Sequence, residues 1–477
     1  MKRVLIITYY WPPSGGSGVQ RWLKFAKYLP QFGWEPVIYT PLNPEANATD
    51  EALLKDILPG TEVIKRKIVE PYGIYKALLG SKKEIPLKAN IISNGENKSF
   101  VHRASMFIRG NLFIPDPRCL WIAPSVRYLK KYLKEHPVDA IVSTGPPHSM
   151  HLIAKGVSKA TGIDWVADFR DPWTEIFFFK HLGLSKWAYK RHRKLEQSVL
   201  DNAKKVIVVS EKMREDFAKR TSTPVEIITN GFDPDDFKPE DDTINISPKA
   251  ADNFESSNEA CKKFRLVHTG ILVDNGNPNM LWSILGQMAN ENAEFKKALE
   301  IRAMGQVDQS IVDDICNNGL KDNFVNMGYV AHNEAIKWQK AADLLLLPLR
   351  KEPEAAAILT GKFFEYVAAG APILAFGPRK SNLATELEES GSGVICEWDE
   401  RDAIRKAICE AYERFLNKEK KENLNDNITP LQENNISMES TADPHNMQMT
   451  KAQLKYSRKT LTGQLSGLLN SLNNLTK

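Results

Sequence analysis

The stretch from Leu344 to Phe376 holds the residues best equipped for chemistry. An apolar run delivers Arg350 and Lys351, and Thr360-Gly361-Lys362 then opens a helical pattern that carries Glu365. Cations beside a helix N-terminus favour phosphate oxygens. A carboxylate one turn further on can accept two hydrogen bonds from a vicinal diol such as a ribose. The plainer reading is an amphipathic helix with Lys362 and Glu365 as a solvated i,i+3 pair.

Near the start, Gly15-Gly16-Ser17-Gly18 follows Val4–Ile7 and precedes Val19, Trp22, Phe25, Ala26 and Leu29 at helical spacing. Glycines let the backbone approach a ligand, and the start of a helix offers unpaired N–H groups and positive dipole. That describes a phosphate or carboxylate cradle. It is not a Walker loop, because no Lys-Ser/Thr follows, and Arg21 stands where a dinucleotide fingerprint needs its third glycine. A tight strand-to-helix turn calls for the same glycines.

Two further segments place polar groups at strand ends. In Ser143–His151 (STGPPHSMH) a strand runs into a helix, which sets His148 at the carboxyl edge of a sheet, where open α/β sheets bind ligands. Helix capping is its bland alternative. His148 and His151 lack a third partner at metal-ligand spacing, so no metal site is expected. Asp168-Phe169-Arg170-Asp171 follows the strand Trp165–Ala167, and charges so near a buried strand are costly unless paired. Asp168 and Arg170 are therefore either cleft residues or a structural ion pair.

The elements that must position these groups are strands alternating with helices. Val4–Ile7, the Gly-rich loop, the helix and Glu35–Thr40 make a βαβ unit, which implies a parallel sheet with right-handed crossovers. The alternation resumes at Asp139–Ser143, Asp164–Ala167, Lys205–Val209 and Glu226–Ile228, with residues 45–135 less regular. A second series runs through Phe264–His268, Glu300–Ala303, Asn323–Met327, Asp343–Leu347, Pro372–Ala375 and Gly393–Cys396 to a helix at Arg401–Phe415. Two α/β domains result, 1–231 and 262–416, separated by an acidic, polar linker or exposed loop at 232–261. Residues 417–450 have few core formers and read as a disordered or loop insertion. A closing helix follows at 451–477, with Leu461, Leu465, Leu468, Leu469 and Leu472 on one stripe.

Composition narrows the class. The 477 residues are 42% hydrophobic and 26% charged, which suits a globular chain of two or three domains. No apolar run nears the roughly 18 residues of a membrane span, and the start does not read as a secretory signal. Cysteines 119, 261, 316, 396 and 409 form no CxxC pair, which argues against a disulfide framework or zinc knuckle. A soluble cytoplasmic protein is expected. Residues 1–230 carry 36 Lys+Arg against 22 Asp+Glu, and the remainder 28 against 37. A basic half beside an acidic one suits a phosphate-bearing or anionic partner, although a solvated surface would look the same.

Taken in order, YYWPPSGGSGVQRW, STGPPHSMH, ADFRDPW, ITNGFD, VHTGIL and TGKFFEYVAAGAPILAF resemble the family 4 retaining glycosyltransferases of GT-B fold, over most of residues 1–416. The resemblance implies two Rossmann-like domains facing across a cleft. The terminal YSRKTLTGQLSGLL is similar to the family's closing helix, which returns to the first domain. It further implies that Gly15 and Gly16 bring backbone amides to donor and acceptor and that His148 contacts the transferred sugar. Arg350 and Lys362 would face the donor diphosphate, with Thr360 and Gly361 beside them, and Glu365 would hold the nucleotide ribose. Departure of a nucleoside diphosphate needs charge stabilisation more than a protein nucleophile, so no catalytic base is named. No cofactor or metal is implied.

Two departures stand out. Eight positions before Glu365, where the family usually has another glutamate, this chain has Ala357. The loop Gly270–Pro278, where many members have Arg and Lys, holds no cation. The implied activity is transfer of a sugar from a nucleotide sugar to a glycan or lipid-linked acceptor in cell-surface polysaccharide synthesis. Alternatives are a nucleotide-sugar 2-epimerase and an inactive binding subunit, since fold does not fix function. Arg127, Lys130, Lys131 and Lys134 are candidates for docking on the anionic inner face of the plasma membrane. Nucleic acid is not expected as a partner, because the basic residues lack an aromatic platform.

Overall fold

The computed structural model of the chain describes residues 1–45, 49–69, 107, 110–176, 179, 182–237, 262–426 and 449–472. These form two compact units, Met1–Asn230 with Arg458–Lys477, and Gly231–Ser457.

The first unit runs β1 (Lys2–Ile7), α1 (Ser17–Tyr28), β2 (Trp34–Pro41), β3 (Glu62–Arg66), α2 (Ile122–Glu135), β4 (Ala140–Gly145) and α3 (Ser149–Thr161). It continues through β5 (Trp165–Phe169), α4 (Lys186–Leu200), β6 (Lys205–Val208), α5 (Glu211–Ala218) and β7 (Val225–Ile227). Its strands form one parallel sheet of order β3-β2-β1-β4-β5-β6-β7. Both faces are covered, so β1 reads as an unbroken apolar run rather than an alternation. Leu5 and Ile7 pack with Leu129, Ile153 and Val157 on one face. Val4 and Ile6 pack with Val19, Trp22 and Phe25 on the other. Strand β3 lies in the region expected to be irregular; a short, charged edge segment (EVIKR) carries little apolar signal.

The second unit runs β8 (Phe264–Thr269), α6 (Asn279–Glu291), α7 (Ala293–Ala298), β9 (Leu299–Met304), α8 (Gln309–Asn317), β10 (Phe324–Gly328) and α9 (His332–Lys340). There follow β11 (Leu344–Pro348), α10 (Gly361–Ala369), β12 (Ile373–Phe376), α11 (Asn382–Ser390), β13 (Gly393–Cys396) and α12 (Arg401–Asp426). The sheet is again parallel, in the order β10-β9-β8-β11-β12-β13.

Three boundaries differ from the sequence reading. Phe232, placed in the linker, is 3% exposed and belongs to the second unit's core. Helix α12 continues past residue 416 to Asp426. The closing segment is two helices, α13 (Lys451–Tyr456) and α14 (Arg458–Leu472), parted by an extended Ser457. Tyr456 packs on Phe363 and Phe364 in the second unit. The leucine stripe of α14 lies in the first unit, against Val19, Trp22 and Leu29. The helix thus returns to the first sheet, and the burial of Leu461, Leu465, Leu469 and Leu472 is what holds it there. Most of the expected linker (238–261) and insertion (427–448) lies outside the described residues.

In each sheet the strand order reverses at one neighbouring pair, β1/β4 in the first and β8/β11 in the second. Crossovers leave such a pair in opposite directions, which opens a crevice at the carboxyl ends of the strands.

Candidate active site

At the β1/β4 edge of the first unit, Gly16 is the N-cap of α1 with φ 96°, a conformation that favours glycine. Gly18 is needed for space instead. A Cβ there would lie 3.0 Å from the Tyr10 ring and 3.1 Å from Arg170 Nη1. Gly15 precedes them in the loop, and α1 has no side-chain cap. An uncapped helix start of this kind suits an anion.

His148 holds the N-cap position of α3 without a capping hydrogen bond, so capping is not its role. Its ring stacks on Trp173 at 4.6 Å, and its buried Nδ1 has no partner among the described residues. Burial, with His151, Arg170 and His192 adding to it, holds His148 well below the ordinary histidine pKa. Beside it, Trp165 Nε1 donates to Ser143 Oγ at 2.8 Å, and Ser143 Oγ lies 2.8 Å from His151 Nδ1. Gly145 lets both rings approach, since a Cβ would lie 2.5 Å from His151 Nε2 and 3.0 Å from His148 Nδ1.

The ADFRDPW segment separates into two roles. Asp168 is fully buried and accepts from Arg21 Nη2 at 2.8 Å, Trp22 Nε1 at 2.7 Å and Thr144 Oγ1 at 2.8 Å. Burial alone would raise its pKa; Arg21 and these hydrogen bonds hold it below the ordinary carboxylate value. Asp168 is a structural anchor rather than a cleft residue, and its partner is Arg21. Arg170 donates instead to the Gly18 carbonyl at 3.0 Å and to the Pro146 carbonyl, clamping the glycine loop to the proline loop.

In the second unit, Thr360 caps α10 by accepting from Lys362 N at 3.2 Å, with Gly361 opening the helix. Lys362 Nζ lies 2.9 Å from Glu365 Oε2, with the side chains 31% and 19% exposed. The Gln339 amide from α9 donates to the same Oε2 at 3.1 Å and to Thr269 Oγ1 at 2.9 Å. Tyr366 OH accepts from Thr269 N at 2.9 Å. His332 Nε2 stands 3.5 Å from Asp236 Oδ2. Burial would raise the Glu365 pKa, yet Lys362 and His332 hold it below the ordinary value. Lys362 is raised, the pull of Glu365 outweighing burial. The result is an ionised carboxylate and an ammonium at a helix N-terminus, suited to a diol and an anion.

Thr360, Gly361, Lys362 and Glu365 are therefore brought together as expected. Arg350 lies in the loop after β11, outside the hydrogen bonds around Glu365. Ala357 ends a short turn before α10, so an exposed methyl replaces the family's glutamate. Sequence reasoning missed Arg21, Gln339, His332, Thr269 and His268. His268 did carry a signal, a polar residue continuing the apolar alternation Phe264, Leu266. Gln339 carried none, being brought to Glu365 by the crossover through β11.

Residues 91–236 match the model of Glycosyltransferase Family 4, and residues 263–414 that of Glycosyl transferases group 1. A sequence search of curated proteins finds no match. Among solved structures, the chain is similar to a glycosyltransferase from Rickettsia africae (TM-score 0.57, 13% identity, 99% of this chain and 98% of that one). It is also similar to a sucrose-phosphate synthase from Thermosynechococcus elongatus (TM-score 0.56, 13% identity, 100% of both). A third is a protein described as a UDP-N-acetylglucosamine 2-epimerase from Listeria monocytogenes (TM-score 0.52, 10% identity, 100% and 97%). At these identities the likeness is one of fold. With a family 4 domain followed by a group 1 domain, together spanning more than half of its length, this chain belongs to the family 4 glycosyltransferases of GT-B fold.

Proposed function

We propose that the protein transfers a sugar from a nucleoside diphosphate sugar to a glycan or lipid-linked acceptor, with retention of configuration, in cell-surface polysaccharide synthesis. The observation that carries this reading is the Lys362–Glu365 pair at the start of α10, braced by Gln339 and Thr269. Glu365 accepts from the ribose hydroxyls, while Lys362 and the first N–H groups of α10 stabilise negative charge on the leaving diphosphate. Arg350 adds positive charge to the same phosphates. On the acceptor side, the Gly15-Gly16 backbone and the neutral His148 ring contact the sugar and its acceptor, with Arg170 fixing the loops that carry them. In this reading no metal or other cofactor takes part, and no side chain acts as nucleophile.

The same reading puts the protein in the cytoplasm, peripheral on the inner face of the membrane. Arg127, Lys130, Lys131 and Lys134 are exposed on α2. On α4, exposed Lys186, Lys190, Arg191 and Lys194 surround Trp187, which is 67% exposed. Each such cation contributes about 1 kcal/mol near an anionic surface. Among the described residues no helix is long and apolar enough to cross a membrane. Vesicle flotation at low salt tests the docking: equal recovery with neutral and anionic lipid rejects it.

The reading as a whole is tested by a thermal-shift panel of UDP, GDP, ADP, CMP, dTDP and their common sugar conjugates. A ligand at 100 times its dissociation constant adds about 2.7 kcal/mol of stability. One nucleotide family should shift the melt, and Glu365→Ala should abolish the shift. Ala357 and the cation-free Gly270–Pro278 loop favour a second reading, an inactive binding subunit, which a panel without any shift would support. Turnover of a bound nucleotide sugar without added acceptor, giving its 2-epimer, would point to an epimerase.

A further inference from the structure

His268 is a buried polar residue that neither the family match nor the proposed mechanism uses. It occupies the position after Leu266 on the β8 face that packs against α6 and α8, where an apolar side chain would be the ordinary choice. A histidine there is costly unless both ring nitrogens are used. One is: Nδ1 lies 2.9 Å from the Leu346 carbonyl oxygen. A carbonyl only accepts, so Nδ1 carries the proton and Nε2 is a lone pair. Burial, reinforced by the Lys362 charge, keeps the ring neutral, its pKa lowered to about 4.

The Nε2 atom is itself buried and has no hydrogen-bond partner among the described residues. Gly270 shows where it faces. A Cβ on Gly270 would lie 3.6 Å from His268 Nε2 and 4.0 Å from Lys362 Cε. Gly270 has φ 137° and carries no Cβ, so no side-chain atom of its own occupies this position beside Nε2 and Lys362. The Lys362 ammonium is engaged with Glu365 at 2.9 Å. A phosphate oxygen has no proton to offer a lone pair, so the diphosphate is not the matching group. A hydroxyl or amide N–H is.

We propose that His268 Nε2 accepts a hydrogen bond from a hydroxyl or N–H of the bound nucleotide sugar, making it a specificity contact beside the diphosphate position. This rests on the nucleotide-sugar reading. Leaving that acceptor without a donor costs affinity, so ligands lacking the group are rejected.

The test measures binding by calorimetry for wild type, His268→Leu and His268→Gln, using the nucleoside diphosphates above and their sugar conjugates. His268→Leu should weaken binding about tenfold while melting no lower than wild type, because an apolar side chain suits that face. His268→Gln, which returns an acceptor oxygen near the Nε2 position, should recover part of the loss. A loss already present with the nucleoside diphosphate assigns the donor group to the nucleoside; a loss confined to the conjugate assigns it to the sugar. Imidazole ¹⁵N NMR should show Nε2 unprotonated before and after binding. Equal affinity in His268→Leu, or proton uptake at Nε2 on binding, overturns the inference while leaving the nucleotide-sugar reading intact. Wild-type protein that binds nothing in the panel overturns both.

Discussion

Gln339 Nε2 stands 3.1 Å from Glu365 Oε2, so a residue on α9 holds the carboxylate on α10 at a fixed angle. The same amide nitrogen reaches Thr269 Oγ1 at 2.9 Å, tying both helices to the carboxyl end of β8. Gln339 is fully buried, which makes it a positioning residue rather than a ligand contact.

Replacing Gln339 with Leu should weaken nucleotide binding by roughly fivefold, the worth of about 1 kcal/mol of lost hydrogen bonding. Glu365→Gln should cost more, about tenfold to a hundredfold, because a charged acceptor is lost. Isothermal calorimetry on the nucleotide that shifts the wild-type melt separates the two. Equal losses would mean that Gln339 touches the ligand itself.

His332 gives the second unit a pH dependence of known sign. Burial would lower its pKa, but Asp236 and Glu365 outweigh burial and raise it above 6.5. The folded chain therefore binds the proton more tightly than the unfolded chain. Stabilisation is full below about 6.5 and is lost as pH rises through the raised folded value. The melting-temperature gap between wild type and His332→Gln should be wider at acid pH than at alkaline pH. A gap that stays constant would refute the pairing.

His151 acts in the opposite direction. Burial lowers its pKa from 6.5 to about 3, against the pull of Asp168. Its neutral form is compatible with folding above 6.5, and stability falls as pH drops from there toward the folded value, by up to about 1.4 kcal/mol per pH unit. His151→Leu removes that proton-binding site. In urea titrations its stability should decline less steeply than wild type between pH 6 and 4.

The Arg21–Asp168 pair is a fourth test, of stability alone. Both side chains are 1% exposed or less, and Arg21 also donates to the Ile228 and Thr229 carbonyls. Arg21→Met strands a buried carboxylate and should cost about 3–5 kcal/mol. The double variant Arg21→Met, Asp168→Leu should regain much of it, because no charge is then left unpaired. A double variant no more stable than the single one contradicts the charge explanation.

The sequence by itself determined the two α/β sheets, because strands buried on both faces must be apolar throughout and helices must show one apolar stripe. It also placed Gly16 at the start of a helix, His148 at the N-cap position of another, and Lys362 and Glu365 on one helix face, since these placements are set by near neighbours in the chain. The two roles inside ADFRDPW were not legible. Asp168 finds Arg21 across 147 positions and Arg170 finds the Gly18 carbonyl across 152, pairings created only when β5 settles beside β4 and β4 beside β1. Gln339 and Thr269 are likewise joined to Glu365 by the order of strands in the second sheet. Periodicity reports which face of an element is buried. Which polar groups share that buried space is fixed by sheet order, and only the tertiary structure decides it.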